Sequence, residues 1–281
     1  MPEMLGPDDL VLCSGTLGRA SFAEKCAAAV AGGFRALTLW PDDVARARQD
    51  GIPLAEMRER IADQGLLVAD LDPLLRWLPG EVIPDALAAA TEPEFYAIAD
   101  ALGARSLNVA QGFGSSLDID RAAEALAGVC DRAREHGLLV TLEYLPWSGI
   151  PDAATALAIV ERCGRANATL MIDTWHTFRG PTDAAQLRGL PGARVGSVQL
   201  NDAPAEPAAN LVVETMEARL LPGEGAIPLV GWLRILDQIG SAAPIGVEVF
   251  SKVLDRLPPV EVGRRCGAAA RALLAAARGP A

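Results

Sequence analysis

Short, continuous apolar runs recur along the chain, and each is followed by a longer segment of helical spacing. The first run covers residues 10–13 and is closed by Ser14-Gly15-Thr16. Ser21 with Glu24 three residues on is a capping-box pattern, and Gly32-Gly33 stop the helix it opens. The second run, 36–39, ends in Trp40-Pro41-Asp42-Asp43, and a helix is expected from about Val44. A helical piece over 53–63 precedes the third run, 66–71, which has Asp70 and Asp72 at its end. Residues 73–90 are irregular and rich in Pro, Leu and Trp, which marks the wall or lid of a site.

The alternation continues through the second half. A helix over 92–102 leads to a fourth run, 106–110, closed by Gln111-Gly112-Phe113-Gly114. The segment 119–136 places Ala122, Leu126, Val129 and Ala133 near one helical face. A fifth run, 138–142, ends in Glu143, and Asp152 then caps a helix that Gly164 stops. The sixth run, 169–172, ends in Asp173, with His176 three residues later. A short helix over 182–190 precedes the seventh run, 195–200, and residues 203–227 read as a long loop. A helix over 229–239, an eighth run over 245–249 and an Ala-rich helix over 260–277 complete the chain.

Eight strands alternating with helices at about 35 residues per repeat slightly exceed the roughly 30 of a minimal βαβ unit. Strict alternation without a Gly-rich dinucleotide fingerprint favours a closed (β/α)8 TIM barrel, an α/β fold with a parallel eight-stranded sheet, over an open one. Continuous apolar strands fit a sheet covered on both faces. No linker or low-complexity tract interrupts the pattern, so one domain over residues 1–281 is expected.

In such a barrel every strand's carboxyl end meets the same rim, where active sites lie. Glu143, Asp173, Gln199 and Glu248 fall at the ends of strands five to eight. Each acid alone reads as a strand end in solvent, but four oxygen-bearing side chains on consecutive strands read as one site. Three bare carboxylates there repel one another, and a divalent cation relieves this by using all four side chains as ligands. An all-oxygen set suits Mn²⁺ or Mg²⁺ better than Zn²⁺, which prefers His or Cys, with Co²⁺ or Zn²⁺ as the alternatives left open.

Composition narrows the classes. A net charge of −11 argues against a nucleic-acid surface. Lys25 and Lys252 are the only lysines, and with Lys25 on a predicted outer helix there is little scope for Schiff-base chemistry. Five scattered cysteines without a CxxC pair suggest reduced, packed thiols and hence a cytoplasmic location. The N-terminal residues lack the apolar core of a signal peptide, and no run approaches the roughly 20 residues of a membrane span. At 5% aromatics, Ala, Leu and Val must fill the core.

Glu143-Tyr144, Asp173-Thr174-Trp175-His176, Val198-Gln199-Leu200-Asn201-Asp202-Ala203-Pro204, Arg219-Leu220-Leu221-Pro222-Gly223-Glu224-Gly225 and Val247-Glu248-Val249-Phe250-Ser251 together resemble the sugar phosphate isomerase/epimerase family of the xylose isomerase-like TIM-barrel superfamily. The resemblance spans nearly the whole chain. It implies that Glu143, Asp173, Gln199 and Glu248 are metal ligands and that Glu143 and Glu248 are the acid/base pair. It also implies that His176 and Arg219 meet the substrate. One departure is Gln199, where many epimerases of the family carry His; Gln is more like the hydroxypyruvate isomerase and 3-dehydroshikimate dehydratase branches. Superfamily members are often dimers or tetramers, which leaves a homo-oligomer open.

The expected activity is therefore metal-dependent isomerisation or epimerisation of a keto-sugar, keto-polyol or related hydroxy-ketone through an enediolate. The alternative is dehydration or lyase chemistry of the 3-dehydroshikimate dehydratase type. His176 is expected to hold a substrate hydroxyl or carbonyl, and Arg219 to bind a carboxylate or phosphate as a fork. Trp40, Trp147, Trp175 and Phe250 fall at strand ends and are expected to wall the site. A DNA-repair endonuclease on the same barrel would need further His ligands, whereas the chain holds only His136 and His176, and His136 reads as a helix C-cap. A non-catalytic binding barrel is disfavoured by the intact ligand set.

Overall fold

The computed structural model describes residues 5–279 apart from 88, 89, 113, 115 and 116. The N-terminal Met1–Met4, Phe113 in the fourth strand-end loop, and Ala88 and Ala89 in the expected lid lie outside the described residues. Eight parallel strands form a closed barrel in chain order: β1 (Leu10–Leu12), β2 (Ala36–Leu39), β3 (Leu67–Leu74), β4 (Ser106–Ala110), β5 (Leu139–Glu143), β6 (Ala168–Asp173), β7 (Val195–Leu200) and β8 (Ile245–Val247). Around them run α1 (Phe22–Gly32), α2 (Pro41–Gln49), α3 (Leu54–Asp63), α4 (Glu92–Leu102), α5 (Ile119–Glu135), α6 (Ala153–Cys163), α7 (Thr174–Arg179), α8 (Ala184–Arg188), α9 (Leu211–Glu217), α10 (Leu229–Gln238) and α11 (Pro259–Arg278).

Local chemistry sets these elements. Ser21 and Glu24 form the expected reciprocal cap: the Ser21 N–H donates to Glu24 Oε2 at 2.8 Å and the Glu24 N–H to Ser21 Oγ at 3.3 Å. Gly33, at φ 69°, ends α1 in the left-handed conformation that side chains disfavour. Barrel closure is backed by contact between the first and last helices. A Cβ at Gly263 or Gly267 would collide with the carbonyls of Ala28 and Gly32, so two glycines let α11 lie directly on α1. β8 then pairs with β1, Leu10 opposite Ile245.

Several expected boundaries shift. The stretch read as a loop over 203–227 contains α9, capped by Asn210, whose side chain accepts from the Val212 and Val213 N–H groups. The third strand continues to Leu74, so Asp72 lies within it. The second helix begins at Pro41 rather than Val44, because Asp43 turns back to accept the Trp40 N–H. The short helix expected over 182–190 is confined to Ala184–Arg188. His176 lies in α7, a short helix that Asp173 caps and that is not among the elements expected from the sequence. Lys25 is on the expected helix, and its side chain is buried. All five cysteines are free and buried. Among the described residues no helix is long and apolar enough to cross a membrane.

Candidate active site at the carboxyl rim

The strand register assembles the rim. Asp173 on β6 pairs with Gln199 on β7, and Gln199 with Gly246 on β8, so the polar ends of these strands stand at neighbouring levels. Glu143, Asp173, His176, Gln199, Arg219 and Glu248 are all buried. One donor atom each from Glu143, Asp173 and His176 lies within 4.8 Å of the others. A buried carboxylate–carboxylate–imidazole set of that span fits a divalent cation.

Two further observations fit such an ion. The Gln199 Oε1 is buried without a hydrogen-bond partner, as is the His176 Nδ1. Orphaned buried polar atoms are costly and call for a ligand, an ion or water.

The positive charge at the rim is Arg219. Its Nη1 lies 2.6 Å from Asp173 Oδ2 and 3.4 Å from Glu248 Oε2, and its Nη2 lies 3.4 Å from His176 Nε2. Thr215 on α9 fixes the fork by accepting from Nε at 3.1 Å and from Nη2 at 2.7 Å. The guanidinium also lies over the rings of Phe250 and Trp175, at 4.9 and 5.6 Å. This is more than an expected substrate contact: Arg219 is a buried counter-ion for two of the four rim residues read as metal ligands.

The electrostatics follow from burial. Desolvation, helped by Asp72 and Asp173, pushes the Glu143 carboxyl from 4.5 to about 8. Desolvation likewise drives Glu248 well above its usual range despite Arg219. Burial would raise Asp173 too, but Arg219, His176 and the His176 N–H outweigh it and hold it low. Desolvation lowers His176 to about 4, so the imidazole is neutral at physiological pH.

Glu143, His176, Arg219 and Glu248 line a cavity of about 370 Å³, with Asp173 and Gln199 outside its lining. Trp40, Trp147 and Phe250 line it, as expected, while Trp175 is fully buried and backs His176 edge-on at 5.4 Å between ring centroids. His136 caps α5, bonds Asp100 at 2.9 Å and stacks on Tyr96, away from the rim, in keeping with a structural His.

Two residues given no role by sequence join the floor. Asp72 lines the cavity, and Asn108 on β4 donates to both Asp72 Oδ1 at 3.1 Å and Glu143 Oε2 at 2.8 Å. Asp72 obeys the same strand-end rule as the four chosen residues. Asn108 is signalled by a lone amide inside an apolar run. Burial raises Asp72 to about 6, with Asn108 opposing the shift.

Residues 26–270 match the family model described as xylose isomerase-like TIM barrel. The chain belongs to this family. Members similar in sequence include a 3-dehydroshikimate dehydratase of Pseudomonas aeruginosa, 31% identical over 46% of this chain and 20% of that protein. An inosose isomerase of Bacillus velezensis is 30% identical over 46% of this chain and 45% of its own length. The matches to these two relatives thus span less than half of either. A putative hydroxypyruvate isomerase of Streptomyces coelicolor is 28% identical over 80% of this chain and 84% of that protein. Among solved structures, IolI protein with a bound zinc atom superposes with TM-score 0.87 at 18% identity, over 97% of this chain and 100% of that one. An L-ribulose 3-epimerase superposes with TM-score 0.73 at 21% identity, over 98% of this chain and 96% of that one. At these identities the superpositions speak to fold.

Proposed function

We propose that the protein is a divalent-metal-dependent isomerase or epimerase that moves a proton next to the carbonyl of a keto-sugar, a keto-polyol or a related small hydroxy-ketone. The observation that carries the reading is the buried convergence of Glu143 and Asp173, two of the four ligands read here, with His176 against them and an unpartnered Gln199 oxygen on the strand paired with Asp173. Relatives named as inosose, hydroxypyruvate and dehydroshikimate enzymes share carbonyl-adjacent chemistry, which supports the class.

In this reading Glu143, Asp173, Gln199 and Glu248 hold the ion. When bound, it supplies positive charge that returns the buried carboxyls to their basic form and stabilises enediolate oxygens; Mn²⁺ or Mg²⁺ suit the oxygen-rich set. Glu248 and Glu143 are the proton carriers: one takes the α-proton and the other returns a proton to the neighbouring carbon or the opposite face. Such general acid–base help is worth about 10²–10⁴-fold. The neutral His176 orients a substrate hydroxyl or carbonyl through Nε2, and Asn108 holds the Glu143 carboxyl in place. Arg219, held by Thr215, offers its fork to a carboxylate or to the enediolate. Trp40 and Trp147 wall the substrate.

A dehydratase of the 3-dehydroshikimate type is the second reading, favoured by the 31% match to such an enzyme. There the same carboxyl pair removes the α-proton and delivers a proton to a departing β-hydroxyl. The test is Mn²⁺-loaded protein with keto-sugars, inososes and 3-dehydroshikimate in D₂O. Solvent deuterium entering the α-position without loss of water supports isomerisation, and a conjugated product supports the lyase. Equal turnover after exhaustive chelation overturns both.

A further inference from the structure

Among the described residues the buried polar groups of the cavity gather at one end, and Asp42, exposed beside Trp40, is the charged group at its edge. Above Asp72, Glu143, His176, Arg219 and Glu248, the described walls are Leu75, Phe95, Leu145, Phe250 and the two indoles. The indole donors on those walls are already committed. Trp40 Nε1 donates to Asp72 Oδ2 at 3.3 Å, and Trp147 Nε1 to the Gly112 carbonyl at 3.2 Å. The Thr215 hydroxyl is held by Arg219.

The rim continues the same chemistry. Val212 and Met216, four residues apart on one side of α9, and Leu87 across the mouth all line the cavity, yet they are 52%, 51% and 55% exposed. Large apolar side chains left in water around a cavity mouth mark a surface that a ligand covers.

A polyhydroxylated chain filling this space would bury hydroxyls against carbon, and each unpaired one lowers affinity. An apolar body would instead remove the rim from water. We infer that the substrate carries its carbonyl and hydroxyl at one end only, and that the rest is an apolar or aromatic body, ring-sized, seated between Trp40 and Trp147 and covered by Val212, Met216 and Leu87. This rests on the enolising function proposed above and narrows its substrate class.

A matched pair tests it: hydroxyacetone, and 1-hydroxy-3-phenylpropan-2-one, which has the same head with a phenyl group added. Exchange of α-protons with D₂O and quenching of tryptophan fluorescence are both followed. The phenyl compound is expected to exceed hydroxyacetone at least tenfold in kcat/KM for exchange and in affinity. Met216→Gln, at an exposed position, is expected to shrink that ratio severalfold. Equal handling of the pair, or a five- or six-carbon ketose outperforming the phenyl compound, overturns the inference while leaving enolisation standing. A ratio untouched by Met216→Gln overturns it too, as does a self-association of the chain that this variant abolishes without changing the ratio. Absence of exchange with either compound and with every ketose sinks the proposed function itself, and this inference with it.

Discussion

Replacing Lys25 with Met removes the positive half of a buried ion pair on the strand-one side of the barrel. Lys25 Nζ lies 2.6 Å from Asp43 Oδ1 and 2.5 Å from Ser14 Oγ, and the Lys and Asp side chains are 2% and 1% exposed. Ser14 Oγ also bonds Asp43 Oδ2 closely. Breaking a buried pair by deleting one partner costs roughly 3–5 kcal/mol, because the other charge stays desolvated. Met keeps most of the methylene volume, so little cavity term is added. Arg46 still reaches Asp43 Oδ1 at 2.5 Å, but its side chain is half exposed, and such a pair returns at most about 1 kcal/mol.

The expected loss is therefore about 3 kcal/mol, read from urea midpoints at constant m. At roughly 2–4 °C per kcal/mol for a chain of this size, Tm falls by about 6–12 °C. The double variant Lys25→Met/Asp43→Leu recovers most of the loss, since an apolar pair carries no desolvation penalty. It stays about 1 kcal/mol short, because Asp43 also accepts the Trp40 N–H that opens α2. The pH dependence has a definite sign. Burial depresses Lys25 below 10.5, with Asp43 opposing. The unfolded chain thus binds the extra proton just below 10.5, and wild type gains on the variant as pH rises through that window. A single-variant loss below about 1 kcal/mol, or a double variant as weak as the sum of both singles, would refute the reasoning. The rim feels the change as well: Ser14 begins the turn whose Gly15 packs against Phe250 and Glu248.

Three shorter predictions follow from the floor of the cavity. Glu248→Gln is expected to lower turnover about 10²–10⁴-fold, while the urea midpoint of the metal-free protein at neutral pH rises, since folding raises this carboxyl's pKa and the amide needs no proton; full activity would remove Glu248 from the mechanism. Gln199→His is expected to raise the preference for Co²⁺ or Zn²⁺ over Mn²⁺ by about tenfold in a calorimetric titration; an unaltered metal profile would count against Gln199 as a ligand. Because the Glu143 pKa rises from 4.5 to about 8 on folding, the stability this carboxyl contributes is fully present below pH 4.5 and is lost as pH climbs toward about 8. Metal-free protein should therefore lose stability across that window, Glu143→Gln should flatten the slope, and a slope that persists in the variant assigns it elsewhere.

The barrel was legible because strands covered on both faces leave uninterrupted apolar runs, and because each run stops at a polar residue where the rim begins. That rule singled out Glu143, Asp173, Gln199 and Glu248 as candidates, and it applied equally to Asp72, which was read as a strand end and given no task. Helix α9 was not legible. Its Val212, Val213 and Met216 are exposed, so the segment lacks the inward stripe by which a helix declares itself. Lys25 sits on the outer helix where it was expected, but its burial was not legible, because only the fold brings Asp43 and Ser14 to meet it.

Charge balance was the harder quantity, and Asp173 shows why. As a strand end it reads as a free ligand. In the folded chain its Oδ1 accepts the His176 N–H at 3.0 Å, and its Oδ2 accepts Arg219 at 2.6 Å and Asn201 at 2.9 Å. A carboxylate offers about four lone-pair sites, so three are spoken for and one on Oδ1 is open. An incoming dication must use that position or displace Arg219, whose other carboxylate neighbour is Glu248. An ion on the Oδ2 side would be a rival of Arg219 for the same negative charge, whereas one at the open Oδ1 position would not. If they are rivals, Arg219→Met should weaken the metal-free protein most and be rescued in Tm by Mn²⁺ more strongly than wild type. Equal metal-induced shifts in the two proteins would mean that the guanidinium and the ion occupy separate places and serve separate charges.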